Sequence, residues 1–333
     1  MKKFIVLAVL LCFAAVPAFA DVANEVIVGL EGDSTSDAES STVANFEDKF
    51  ETKNSLFTVQ YSHFFTPLKE DDKPIDLRLF YQHPTNLFAG LAFIGMEETD
   101  TTTPGSDYHT EMSASVLQVG GEYFFPTNTG LFLKVGGGGG EYETTLNGIS
   151  LADTEVNYGV FELGVRQYLV PSGELHLRYS GESMENTQTG SPKRTSDRGV
   201  IYLGGRGVIA DVVGLMFEFG GGEVENETAG ITRTSDIGAF NAEVAGYIGK
   251  HLSIRLGVEV EEEEENDLPA GFERTTKTAR TTLAGRYWFS ERFGLEVPLY
   301  SETVEYKNTF PITGEETEKI TNSGIGVYGA FRF

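Results

Sequence analysis

Long stretches of the chain alternate apolar and polar residues with a period of two, the spacing of a β-strand whose two faces meet different surroundings. From residue 112 onward one unit recurs about every 40 residues: an alternating strand, a tight turn, a second alternating strand and a polar loop. Five such hairpins are predicted. Residues 112–144 turn at Pro126 to Thr129, 155–184 at Val170 to Gly173, and 198–225 at Ala210 to Val212. Residues 236–262 turn at Gly249 to Lys250, and 278–305 at Ser290 to Arg292. In the strands leaving the turns, Leu131, Leu133 and Val135 share one face, as do Leu175, Leu177 and Tyr179. Val213, Leu215, Phe217 and Phe219 form a third such set, and Leu252, Ile254, Leu256 and Val258 a fourth.

Upstream, residues 24–35 form a first strand, with Val26, Val28 and Leu30 on one face, and Leu56 to Phe65 and Leu87 to Met96 form two more. Between those two lies 66–86, with Pro67, Pro74 and Pro84 and a short alternating piece from Ile75 to Tyr81. A separate strand there would make the count odd and bring the C-terminus out on the wrong side. Residues 66–86 are therefore expected to form a periplasmic lobe joining strands two and three. One strand, six hairpins and a closing strand give fourteen, with twelve and sixteen as alternatives.

Alternation does not say which face is wet, because a soluble sandwich shows the same period. Strands of roughly 10–13 residues exceed the usual globular five or six and match the ~9–11 needed to cross an outer membrane at a tilt. Short turns at one end and loops of roughly 10–20 residues at the other are the asymmetry of such barrels. Lys2 and Lys3 precede an apolar run from Phe4 to Val16 that ends in Pro17-Ala18-Phe19-Ala20. That is the layout of a signal peptide, residues 1–20, cleaved before Asp21. Cys12 is then a residue of the leader core, and the remainder, residues 21–333, is one cysteine-free barrel domain. Beyond the leader, no apolar stretch reaches the ~18 residues of a membrane helix.

The 25 basic and 50 acidic residues give a net charge of −25. This disfavours nucleic acid, whose phosphates need a basic face. The acid surplus lies in the loops, notably Asp33 to Glu51 and the run Glu261 to Glu265. These are expected to be solvated, the alternative being divalent cations bridging to lipopolysaccharide. No calcium-loop motif occurs.

The final strand carries Ile325, Val327, Gly329, Phe331 and Phe333 on one face. An alternating last strand with a terminal Phe resembles the assembly signal of bacterial outer-membrane β-barrels, here Phe331 and Phe333. The chain resembles the porin-like members of that superfamily in pattern, without a motif that selects one family. The resemblance implies a transmembrane antiparallel up-and-down all-β barrel in the cell outer membrane. It also implies contact with outer-membrane lipid and lipopolysaccharide, and handling by the barrel-assembly machinery.

The opposite, lumen-lining face carries charges at repeated offsets about the turns. Glu122 and Lys134, Arg206 and Glu218, and Glu243 and Arg255 are each twelve residues apart, and Arg286 and Glu296 ten. Each pair is expected nearly opposite on adjacent strands. Arg166 falls near Arg178, with Glu162 and Glu174 on the same face and able to separate them. Glu25 and Arg332 on the end strands complete a belt in the periplasmic half of the lumen. Such walls imply water, and their near balance of sign implies weak ion selectivity. The first expectation is a porin-like channel for passive diffusion of small polar solutes or ions. The alternative is a non-conducting structural or surface-binding barrel whose charges only satisfy one another. A long-chain hydrocarbon transporter is disfavoured, because only a few residues precede the first strand.

Other signals read as structural. The run Gly136 to Gly140 lacks the Gly-Lys-Ser/Thr and helix of a phosphate loop and lies within a strand. His63, His83, His109, His176 and His251 are scattered, with neither triad nor zinc spacing. No catalytic residue, metal site or cofactor is expected. Phe124, Phe125, Tyr287, Phe289 and Phe293 cluster near the turns as an interfacial girdle.

Overall fold

The computed structural model describes residues 22–41, 46–102, 106–188, 190–265, 272–310 and 314–333. The expected leader with Cys12 and its cleavage point before Asp21 lie outside the described residues, as do residues 42–45 of the first acidic stretch. Fourteen strands follow in order: β1 Val22–Ser41, β2 Phe46–Leu68, β3 Asn86–Thr102, β4 Ser106–Phe124, β5 Thr129–Leu146, β6 Ile149–Val170 and β7 Gly173–Gln188. Then come β8 Arg194–Ile209, β9 Val213–Thr228, β10 Ile231–Ile248, β11 Leu252–Glu265, β12 Glu273–Ser290, β13 Phe293–Phe310 and β14 Gly314–Arg332. Sequence neighbours pair antiparallel all the way round, and β1 pairs with β14 to close the barrel. Closure leaves no strand edge unpaired, the condition for a sheet to sit in hydrocarbon.

Each strand turns its aliphatic face outward. Leu131, Leu133, Leu175, Leu177, Leu215, Phe217, Ile254 and Leu256 are all exposed, while Glu174 and Glu218 on the opposite faces are buried. A soluble sandwich would invert this arrangement. The outward face then changes character along each strand. On β9, Leu215, Phe217 and Phe219 give way to Gly221, Glu223 and Glu225; on β11, Val258 and Val260 give way to Glu262 and Glu264. Only the portion nearest the short turns therefore suits lipid tails. The 18 residues of β5 would run about 60 Å at ~3.3 Å per residue. Tilted, they rise well beyond an apolar band of about 25 Å.

The far ends depart from the expected loops. There the strands continue as paired ribbons that stand out of the membrane. Asn147-Gly148 and Ala229-Gly230 close two of these ribbons with both residues at positive φ, the two-residue turn that matches strand twist. Stretches read as polar loops are thereby drawn into the sheet.

At the other end Phe125, Tyr287 and Phe289 are exposed around the rim, and Phe289, Phe293 and Phe331 stack in sequence at centroid separations of 5.2 and 5.0 Å. Phe124 does not join this girdle. It shares the inward parity of Glu122 and stacks on His83 at 5.3 Å. The backbone of Phe333 exchanges hydrogen bonds with Ala23 and Asn24, stitching the chain end to the start of β1.

The segment between β2 and β3, expected as a periplasmic lobe, turns into the barrel mouth. It holds a 3-10 turn at Ile75–Leu77 and a short helix, α1 (Arg78–Gln82). His83 ends α1 with φ of 45°, and Pro84 could not continue it. Ile75 packs with Trp288 and Ala330, and Leu77 and Phe80 pack with Tyr168, Val208, Ala245 and Tyr247.

Candidate functional site

The fourteen charged positions read from the sequence as lumen-lining lie on the inner wall near this inward segment; of the four expected cross-turn pairs, Arg286–Glu296 and Glu243–Arg255 form, whereas Glu122–Lys134 and Arg206–Glu218 do not. Arg286 does stand opposite Glu296 in register, with Nε to carboxylate at 2.5 Å. Arg255 reaches Glu243 at 3.8 Å and also pairs with Glu296. Glu122, however, faces Phe132, while Lys134 faces Gly120. A twelve-residue offset across these turns is a diagonal, not a rung. Lys134 binds Glu162 at 2.9 Å on the other neighbour, and Glu122 binds Arg166 at 2.7 Å.

The two like charges Arg166 and Arg178 are kept apart by carboxylates. Arg178 takes Glu162 at 3.2 Å, and Arg166 lies 3.8 Å from Glu174. Arg178 also reaches over β8 to Glu218 at 3.1 Å, beside His176 at 2.9 Å. Gly204 makes that reach possible, because a Cβ there would stand 2.6 Å from His176 Nε2 and 2.8 Å from Glu218. Glu25 and Arg332, both buried, pair at 2.6 Å. The result is a run of alternating charges around the wall, most of its members holding a partner on each side.

Sequence reasoning missed the charge that ties the inward segment to this belt. Asp76 accepts hydrogen bonds from Trp288 Nε1 at 2.7 Å and Arg286 at 3.1 Å, and another from Ser253. Its burial would raise its pKa, but the Arg286 charge and the three donors outweigh this and hold the carboxyl below its ordinary range. Further clasps join Lys73 and Tyr81 to Asp211 in the β8–β9 turn, Arg78 to Asp71 and Glu291, and Arg332 to the Ile75 carbonyl. The Lys73 hydrogen bond is the main cause of a lowered pKa at Asp211. An Asp inside a proline-rich connection carries no periodic signal, so only its partners reveal its role.

The segment does not fill the mouth. Beside α1 lies a cavity of about 290 Å³, walled by Phe80, Phe88 and Phe124, with Gln60 and Ser62 on β2 and Arg166 and Arg206 on its border. The histidines sit apart: His63 meets Asn24, His83 lies between Phe124 and Tyr168, His109 meets Glu111, and His251 meets the Trp288 carbonyl. Among the described residues, no group of three or more His, Cys, Asp or Glu side chains is placed to hold a metal ion.

No protein-family model and no curated protein matches the chain. Among solved structures it is similar to the Pseudomonas putida toluene transporter TodX, with a TM-score of 0.53 at 11% identity over 97% of this chain and 90% of that one. It is also similar to a TodX deltaS2 mutant described as a monoaromatic hydrocarbon channel, with a TM-score of 0.57 at 11% identity over 95% and 92% of the two chains. A TodX deltaS2S3 mutant gives 0.58 at 10% identity over 97% and 92%. At such identities the likeness speaks for the fold. Together with closure and the outward aliphatics, it gives this chain the fold of a fourteen-stranded β-barrel of the outer-membrane type.

Proposed function

We propose that the barrel is a channel for passive diffusion of small polar solutes or ions, narrowed at its periplasmic mouth by the inward segment and the charged belt. The observation that carries this reading is the cavity beside α1, a space bordered by charged and amide groups that water can solvate. The solved barrels it resembles are described as channels and a transporter, which favours conduction as such. Their hydrocarbon solutes do not transfer readily. A belt of ion pairs across the path is costly ground for an apolar molecule, since each charge it displaces from water loses solvation. In this reading the protein supplies water and fixed dipoles across hydrocarbon, without reaction or cofactor. Outer-membrane lipid and lipopolysaccharide surround the apolar band, and the assembly machinery engages the last strand through Phe331 and Phe333.

A second reading, a closed structural or surface-binding barrel, is favoured by the fit of the segment. Ile75 and Leu77 have no solvent exposure, and clasps fix it to the β8–β9 turn, β11, β12 and β14. Reconstitution in planar bilayers separates the two. Stepwise single-channel conductance is the expected result, and a folded, heat-modifiable but silent barrel would establish the second reading.

A further inference from the structure

Lys134, Arg166, Arg178, Arg255, Arg286 and Arg332 each face a carboxylate within 4 Å. Arg206 differs. Among the described residues no carboxylate stands at ion-pair distance from it. Its register partner is Glu174, but that carboxylate is turned toward Arg166 and His176, each 3.8 Å away. Arg206 instead lies over the Phe80 ring, 4.8 Å from the centroid, with Tyr247 close by. A guanidinium has five N–H donors in a planar fork, so most of the donor capacity of Arg206, a residue that lines the cavity, is not taken up by carboxylates.

We propose that this cavity binds a small monocarboxylate with an aromatic or branched apolar body, the carboxylate on Arg206 and the body between Phe80, Phe88 and Phe124. The proposal rests on the channel reading for how such a solute arrives, not for whether it binds. Three features select this chemistry. An arriving cation meets Glu25 and Glu122, whose charges are already met by Arg332 and Arg166, whereas an arriving anion meets an unmatched fork suited to bidentate carboxylate contact. Arg166 is already shared between Glu122 and Glu174, so a second carboxylate on the solute finds no free cation in that corner. The rings offer apolar and edge-to-face contact, and a volume of about 290 Å³ lies at the small end of ligand sites, which run from ~300 to 1,000 Å³. That suits one ring and not a long chain.

Benzoate is the probe, titrated calorimetrically into the folded full-length barrel in detergent at neutral pH. Saturable one-to-one binding is expected, at least tenfold tighter than for benzyl alcohol, benzylamine or the dianion phthalate. Arg206→Gln should lower benzoate affinity at least tenfold while leaving the emission of Trp288, which reports the seating of the inward segment, unchanged. Should that variant fail to fold, Phe88→Ala serves instead, and benzoate affinity should fall toward that of acetate. Benzoate binding no tighter than benzyl alcohol, or unaltered in both variants, overturns the site. The channel reading fails separately. A barrel that binds benzoate yet passes no current in a bilayer keeps the site and loses the conduit, whereas steady current that benzoate neither blocks nor accompanies by binding does the reverse.

Discussion

At Gly138 the inner wall leaves no room for a side chain. A Cβ would stand 1.9 Å from the Ser115 carbonyl oxygen and 2.7 Å from Val116 Cα, both backbone atoms of the neighbouring strand. Flexible side chains can yield, but a paired strand cannot without breaking its ladder. Gly138→Ala is therefore expected to destabilise the folded barrel by about 1–3 kcal/mol, the usual penalty of overpacking. The matched control is Gly238→Ala, where nothing lies within 4 Å, so its midpoint should stay near the parent's. Urea midpoints read from heat-modifiable gel migration check both, and equal midpoints would refute the steric account. The sequence marks 136–140 as a glycine run inside a strand, which suffices to reject a phosphate loop. Which of those glycines is obligatory depends on the offset between β4 and β5, and a lone strand does not carry that information. The same limit applied to the charges. Parity placed Glu122, Lys134, Arg206 and Glu218 on the inner wall, but choosing partners required a register known to within two residues.

Strands and turns were far more legible than the segment between β2 and β3. Period two survives in the wall because lipid and lumen enforce it at every step. Ile75, Leu77 and Phe80 look strand-like in sequence, yet they fold as a helical turn because their partners come from β1, β6, β8, β10, β12 and β14. No five-residue helix such as α1 is stable by itself. Its fixings are mostly polar, and Asp76 holds three of them. Asp76→Ala should weaken the seating by about 1–3 kcal/mol, the range for losing a buried hydrogen-bonded partner, while Arg286 retains Glu296. The lone tryptophan, Trp288, is fully buried against Ile75, so the variant should shift its emission to the red; unchanged emission would show the apolar contacts suffice. Acid should act on the same anchor. The Asp76 carboxyl titrates below its ordinary 3.8 in the fold, so the anchor is at full strength above about pH 4 and fades as pH falls through the lower folded value. Trp288 emission should thus stay constant from pH 7 to about 4.5 and move red only in stronger acid.

Over the whole molecule, charge is divided by range. The belt is nearly balanced and its members act at contact distance, whereas the surplus behind the net charge of −25 lies largely on the projecting ribbons, as at Glu223, Glu225, Glu262 and Glu264. Closed-barrel architecture and strand number followed from alternation, turn spacing and the need for an even count. The ribbons did not, since acidic and Thr-rich stretches read as loops until a partner strand is in place. Standing the acids on rigid ribbons around the entrance gives them a shared field, and salt tests it. The screening length is about 30 Å at 0.01 M salt, ~10 Å at 0.1 M and ~3 Å at 1 M. In dilute KCl the rim should enrich K⁺ at the entrance and the reversal potential should favour cations; near 1 M that preference should fade toward none. Benzoate affinity should weaken far less across the same range, because Arg206 lies within the wall and meets its ligand directly. A cation preference independent of salt would place its origin inside the lumen and deny the rim its role.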